Sequence, residues 1–407
     1  MKQAEPSELG FSAQRLTRID DHLRRNYVEA GKISGELTLV ARAGRVAHVS
    51  RLGLRDIERG AAMTEDAIFR IYSMTKPITS VALMSLYEEG RFRLSDPVHK
   101  FIPAFADTQV YASGKYPAFI TSPVERPMNV RDLLTHTSGL TYGFMYRNNI
   151  DRAYRHLDID GTKPGATLAD RIETLAALPL EFSPGSAWNY SVSTDVCGHL
   201  VEKLSGMSLA DFVRSRITEP LGMPDTGFTV RDSEVGRFAA NYTRGLDKRL
   251  RLIDDPRGDS PWVGDKTFFS GGGGMVSTAG DYLRFCQMLL NGGELDRVRI
   301  LGRKTVEFMT RNHLPGGADL TELTTGLFSE IENEGSGFGL GFSVNLDPTR
   351  GGVMGSVGEF AWGGMASTVF WVDPAEELIV IFMTQLVPSR TFDFRGQLKA
   401  LVYSSLV

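Results

Sequence analysis

Cysteine is nearly absent: only Cys197 and Cys286 occur in 407 residues, both in apolar stretches of helical spacing. They read as core side chains, which leaves no disulfide framework and no cysteine metal cluster to hold the fold. An excess of positive charge is missing as well. Lys and Arg number 45 against 49 Asp and Glu, a formal net charge of −4, and this sets nucleic acid aside as a partner. No run of 18 apolar residues occurs, so no membrane span is expected. The first ten residues lack the apolar core of a secretory signal, and a cytoplasmic enzyme is the expectation. His-Glu-x-x-His does not occur, and His156 with Asp158 stands isolated, so no metal or other cofactor is expected. The glycine run Ser270-Gly271-Gly272-Gly273-Gly274 is not followed by Lys-Ser/Thr, which removes a P-loop. Gly-x-Ser-x-Gly is absent too, against an ordinary nucleophile-elbow hydrolase.

What is present is an ordinary globular composition, 42% hydrophobic and 23% charged, long enough for two or three domain-sized units. Residues 11–30 carry Leu16, Ile19 and Leu23 at helical spacing. Alternation over 36–42 and 46–52, with Ala43-Gly44 between, predicts a hairpin. A short strand over 67–71 feeds a helix that runs to about residue 89. From 91 to 264 the chain changes to helices and long polar loops, with the clearest helices over 130–134, 167–178 and 193–204. Residues 148–164 are charged and without period, and read as a surface loop or a lid over a pocket. A helix over 277–290 follows the glycine run. Strands are then expected over 339–346, 367–372 and 378–383, and a closing helix over 394–406. Strands at both ends around a helical middle predict an α/β (α+β) chain that leaves one sheet and re-enters it. The expected units are a discontinuous sheet domain, 1–90 with 265–407, and a mainly helical domain, 91–264, with the site between them.

The chemistry concentrates in four stretches. In Ser73-Met74-Thr75-Lys76 the hydroxyl and the amine are three apart, on one face of a helix start. A helix N-terminus favours a developing negative charge, and burial there would push the lysine toward the neutral, proton-accepting form. Serine beside such a base is an activated nucleophile. Pro184-Gly185 turns the chain toward Trp188 and Tyr190, where the phenol is a candidate general base or a packing residue. Trp362-Gly363-Gly364-Met365 permits the close backbone approach of an oxyanion hole, or of a plain tight turn. In Leu133-Leu134-Thr135-His136-Thr137-Ser138-Gly139-Leu140, His136 is read as structural, because Lys76 and Tyr190 already fill the proton-transfer role.

Taken in order along the chain, these motifs resemble the serine hydrolases related to class C β-lactamases, and most closely the family VIII carboxylesterases. The resemblance runs from about residue 10 to the end, and agreement among these four stretches and the glycine run at Ser270 is far more specific than any one. It implies a β-lactamase/transpeptidase-like fold and a serine carboxylesterase acting on small-molecule esters of short or medium acyl chains. Ser73 would attack the ester carbonyl, with Lys76 and Tyr190 sharing the proton work. The backbone N–H groups of Ser73 and Met365 would hold the oxyanion. Tyr142, Trp362, Gly363 and Gly364 would form the substrate pocket. Two departures are informative: β-lactamases carry Lys-Thr-Gly where this chain has Trp362-Gly363-Gly364, and an Asn where it has Val192. Losing a charge-assisted contact costs about 1.5–3 kcal/mol of recognition, which disfavours strong β-lactamase activity. A peptidase, amidase or acyltransferase on the same scaffold is the alternative, and a binding module without turnover would not need all three of Ser73, Lys76 and Tyr190.

Overall fold

The computed structural model describes residues 2–161, 165–326 and 334–407. Its centre is an eight-stranded sheet in which every neighbouring pair is antiparallel. Three strands come early in the chain, β1 (Gly35–Arg42), β2 (Arg45–Asp56) and β3 (Ala61–Ala62). Five come late: β4 (Ser336–Phe338), β5 (Ser343–Asn345), β6 (Phe360–Gly364), β7 (Thr368–Asp373) and β8 (Leu378–Met383). The order β4-β5-β6-β7-β8-β1-β2-β3 joins the two sets where β8 pairs with β1, Leu39 opposite Ile381.

Strand alternation sends side chains to two separate cores. On one face Val40, Trp371, Val380 and Phe382 meet α1 (Ala13–Leu23) and, at the far end of the chain, the helix Phe394–Tyr403. On the other, Leu37, Leu39, Ile379, Ile381 and Trp362 meet α2 (Thr75–Glu88) and the helix Ala279–Leu290. Both faces are thus covered, which is why Leu378–Met383 is apolar at every position rather than alternating. Helix α2 lies between the sheet and α3 (Ser193–Ser205), and each residue from Thr75 to Leu86 is buried.

Two expectations need correction. Residues 339–346 do not form one strand: Gly339 and Gly341 (φ +98°) turn the chain between β4 and β5. Residues 148–164 are not irregular throughout. Asn148 accepts from the backbone of Ile150 and Asp151 and caps the helix Asn149–Leu157, whose Ile150, Ala153 and Tyr154 face inward. The rest of that stretch passes outside the described residues at 162–164. Among the described residues, no helix is long and apolar enough to cross a membrane, and Cys197 and Cys286 are buried free thiols.

Buried polar groups include a carboxyl on the central sheet. The Glu36 carboxyl on β1 is fully buried, accepts hydrogen bonds from Thr38 Oγ1 (2.5 Å) and Ser50 Oγ (2.7 Å), and is pushed by burial up to about 7. Between its ordinary value near 4.5 and about 7, the folded chain holds a proton that the unfolded chain has lost. Stability therefore falls as pH rises through that window. Glu36→Gln is expected to match the wild type at pH 4 and to exceed it at pH 8 by about 3 kcal/mol, at roughly 1.4 kcal/mol per pH unit. Urea unfolding at both pH values measures it, and an equal offset at the two would refute it.

Candidate active site

The turn that carries Ser73 is fixed by strands on both sides of it. Phe69–Arg70 pairs antiparallel with Val276–Ser277, and the Ile71 N–H bonds Met275 O at 3.1 Å. The chain then makes one 3₁₀ turn, Tyr72–Met74, and enters α2. Tyr72 takes a left-handed φ of +41°, costly for a bulky side chain. Asn241 Nδ2 donates to its hydroxyl at 3.1 Å, and the Trp262 indole stands edge-on to its ring at 5.3 Å. Strained backbone next to Ser73 is thus held by two distant segments.

Around Ser73 Oγ the geometry is tight. Tyr190 Oη lies 2.5 Å away and Lys76 Nζ 3.3 Å away. Lys76 Nζ also donates to Tyr142 Oη at 2.9 Å and to the Gly272 carbonyl at 2.7 Å, and it sits 4.5 Å from the centre of the Tyr190 ring. The Gly272 carbonyl is aimed by Asp195, at the start of α3. Its Oδ1 accepts from Ser270 Oγ at 2.6 Å and from the Gly272 N–H at 3.1 Å. Burial raises the Asp195 carboxyl, while the Ser270 bond and the nearby Lys76 charge pull the other way. A Cβ at Gly272 would run into that carboxylate, so the glycine run gives close backbone packing, not a phosphate cradle.

The other two motif stretches are stitched to each other. Gly185 N–H bonds Thr137 O at 2.8 Å, Asn189 N–H bonds His136 O at 3.0 Å, and Ser138 Oγ meets Ser193 Oγ at 2.7 Å. His136 Nδ1 faces Ser191 Oγ at 3.1 Å, and its ring packs 5.2 Å from that of Tyr190. Burial, with the Lys76 charge beside it, holds the imidazole well below its ordinary value. His136 is therefore a neutral packing group that fixes Tyr190.

Ser73 opens onto a cavity of about 430 Å³ whose wall includes Tyr142, Phe144, Ile159, Trp262, Phe268 and Met365. Tyr142 and Met365 line this cavity. Trp362, Gly363 and Gly364 do not line the cavity. The reason is strand alternation in β6. The Trp362 indole turns inward, fully buried, 5.4 Å from the Tyr190 ring and 5.3 Å from that of Phe338. Gly363 faces the opposite side, where a Cβ would meet the Arg395 guanidinium. Gly364 lets β6 come against the Ile71 carbonyl, and the next residue, Met365, lines the same cavity as Ser73. The tryptophan of the wall is Trp262, in an aperiodic stretch that gave no signal. Tyr142 as a partner of Lys76, Asp195 and Lys266 were also missed. Asp195 alone carried a hint, as an acid in the first turn of a helix after a Tyr-Ser turn.

A family model described as Beta-lactamase matches residues 21–404. Esterase EstB of Burkholderia gladioli is 31% identical over 399 residues, 93% of each chain. Protein Rv1367c of Mycobacterium tuberculosis is 38% identical over 372 residues, 91% of this chain and 90% of its own. Among solved structures, EstCE1, described as a hydrolase with promiscuous acyltransferase activity, superposes with a TM-score of 0.80 at 27% identity. That match covers 98% of this chain and 99% of the other.

Proposed function

The chain belongs to the beta-lactamase family as a serine ester hydrolase, and from that premise we propose that it cleaves esters of short or medium acyl chains through an acyl-enzyme on Ser73. The observation that carries this reading is the placement of Ser73 Oγ between Tyr190 Oη and Lys76 Nζ at the edge of a cavity walled by aromatic side chains. A cation beside a phenol favours the phenolate, which takes the Ser73 proton as Oγ bonds the ester carbon. Ser73, Tyr142 and Gly272 each offer Lys76 Nζ an acceptor, which suits the N–H groups of an ammonium, so the lysine acts by charge and orientation more than as the base. The backbone N–H groups of Ser73 and Met365 receive the oxyanion. Tyr190 then gives its proton to the departing alkoxide, the ester C–O bond breaks, and the acyl group stays on Ser73. Water repeats the sequence in reverse, losing its proton to Tyr190 and releasing the acid.

Mass spectrometry after brief exposure to a panel of p-nitrophenyl esters tests the reading. An added acyl mass on the Ser73 peptide is expected; an unmodified enzyme that still releases p-nitrophenol through another residue would overturn it. Acyl transfer to an added alcohol is a second reading, supported by the likeness to EstCE1, and product analysis with a short alcohol present separates the two. β-Lactam turnover is expected to be slow, since Trp362 stands where those enzymes carry a lysine.

A further inference from the structure

The cavity wall carries a lysine that the ester mechanism does not use. Lys266 lines the cavity among aromatic neighbours, its ammonium over the face of Trp262, 4.4 Å from the ring centre. No described carboxylate lies within ion-pair distance of it. Asp254, the acid whose charge it feels, is held by Arg70 Nε at 2.8 Å, and the fully buried Arg70 guanidinium adds like charge from behind. No ion pair joins it to the other described acids of the wall. Asp195 is bonded to Ser270 and Gly272, Asp160 accepts the Gly143 N–H at 2.9 Å, and Asp265 is exposed. Burial, with Arg70 beside it, pushes the Lys266 ammonium down to about 8. A partly buried cation without a counter-ion among the described residues, in a pocket open to ligand, is a site that an anion would complete.

We propose that Lys266 forms an anion subsite, and that the preferred substrates are esters carrying a carboxylate remote from the scissile bond. Trp262 joins this subsite to the reaction centre: the same indole that seats the Lys266 ammonium braces Tyr72, the residue before Ser73. An apolar stem against Trp262, Phe268 and Ile159, ending in a carboxylate at Lys266, would satisfy the wall and the charge together. The cation lost at position 362 is in this way replaced from a different segment of the chain. The inference rests on the ester-hydrolase reading and adds a substrate class to it.

Two substrate pairs test it, one for each side of the ester bond. Mono-p-nitrophenyl adipate against p-nitrophenyl hexanoate places the charge on the acyl part. 4-Acetoxybenzoate against its methyl ester places it on the alcohol part. The readout is the ratio of kcat/KM for the charged and neutral members at neutral pH, with fluorophosphonate labelling of Ser73 as the check on folding. In at least one pair Lys266→Met is expected to lower that ratio about tenfold, the size of a lost charge-assisted contact, while Lys266→Arg largely keeps it. Without any variant, the wild-type ratio in that pair is expected to fall as pH rises through about 8. A ratio that stays constant in both pairs, across the variants and across pH, overturns the subsite. Equal losses on charged and neutral members do the same, since they mark a purely structural lysine. An enzyme that hydrolyses neither member of either pair overturns the ester reading, and the subsite with it.

Discussion

Ser73→Ala is expected to lower kcat for p-nitrophenyl butyrate by about ten-thousand-fold or more while the chain still folds. The size follows from what the oxygen does. In the proposed reaction it is the atom that bonds the acyl carbon, and no neighbouring group offers a substitute: Tyr190 and Lys76 both point at the position it would vacate. What remains is the polarising effect of the backbone N–H groups and substrate binding, which leave only a small residual rate. The stability change is expected to be slight, about 1 kcal/mol, because Lys76 keeps Tyr142 and Gly272 and only one hydrogen-bonded oxygen is removed. Steady-state turnover and thermal unfolding of the same preparation measure both quantities. Turnover within a few fold of wild type, with no acyl mass on the protein, would remove Ser73 from the reaction.

How far the sequence could be read is clearest strand by strand. The β1–β2 hairpin and the strand Leu378–Met383 were legible, because alternation and an unbroken apolar run are local patterns. The late strands β4 and β6 were not, and β5 was read only as part of a longer strand over 339–346. Glycines interrupt their period, and Phe360–Gly364 looks like a turn until its pairing with Thr368–Asp373 is seen. The exposed hairpin Gln109–Lys115 with Ala118–Pro123 has no buried face to leave a pattern. At the site, Ser73 and Lys76 are near in sequence, so their spacing alone suggests contact. The other partners of Lys76 come from 66 and 196 residues away, where no period or spacing could point to them. The misplacement of Trp362 was avoidable in part: one residue of register in a strand decides the face, and Trp362 shares its face with the core, not with the cavity.

Tyr190→Phe isolates the step for which the arrangement at Ser73 is built, and its expected cost is about a thousand-fold in kcat, within the usual range for a positioned acid–base group. The ring itself is fixed by packing, with His136, Tyr142 and Trp362 centred 5.2, 5.2 and 5.4 Å away, so removing one oxygen leaves the fold and the cavity in place. What disappears is the atom 2.5 Å from Ser73 Oγ. Since the same phenol serves both halves of the cycle, acylation and deacylation should slow together, and no acyl-enzyme should accumulate in a stopped-flow burst. Tyr142→Phe is the control that gives this result its meaning. That phenol accepts from Lys76 Nζ, one group removed from the reacting oxygen, and its loss is expected to cost only about tenfold, the scale of one misaligned hydrogen bond. If Tyr142→Phe proved the more damaging of the two, the proton would travel through Lys76 and Tyr142. The lysine would then have to work as the neutral base that its three acceptors argue against.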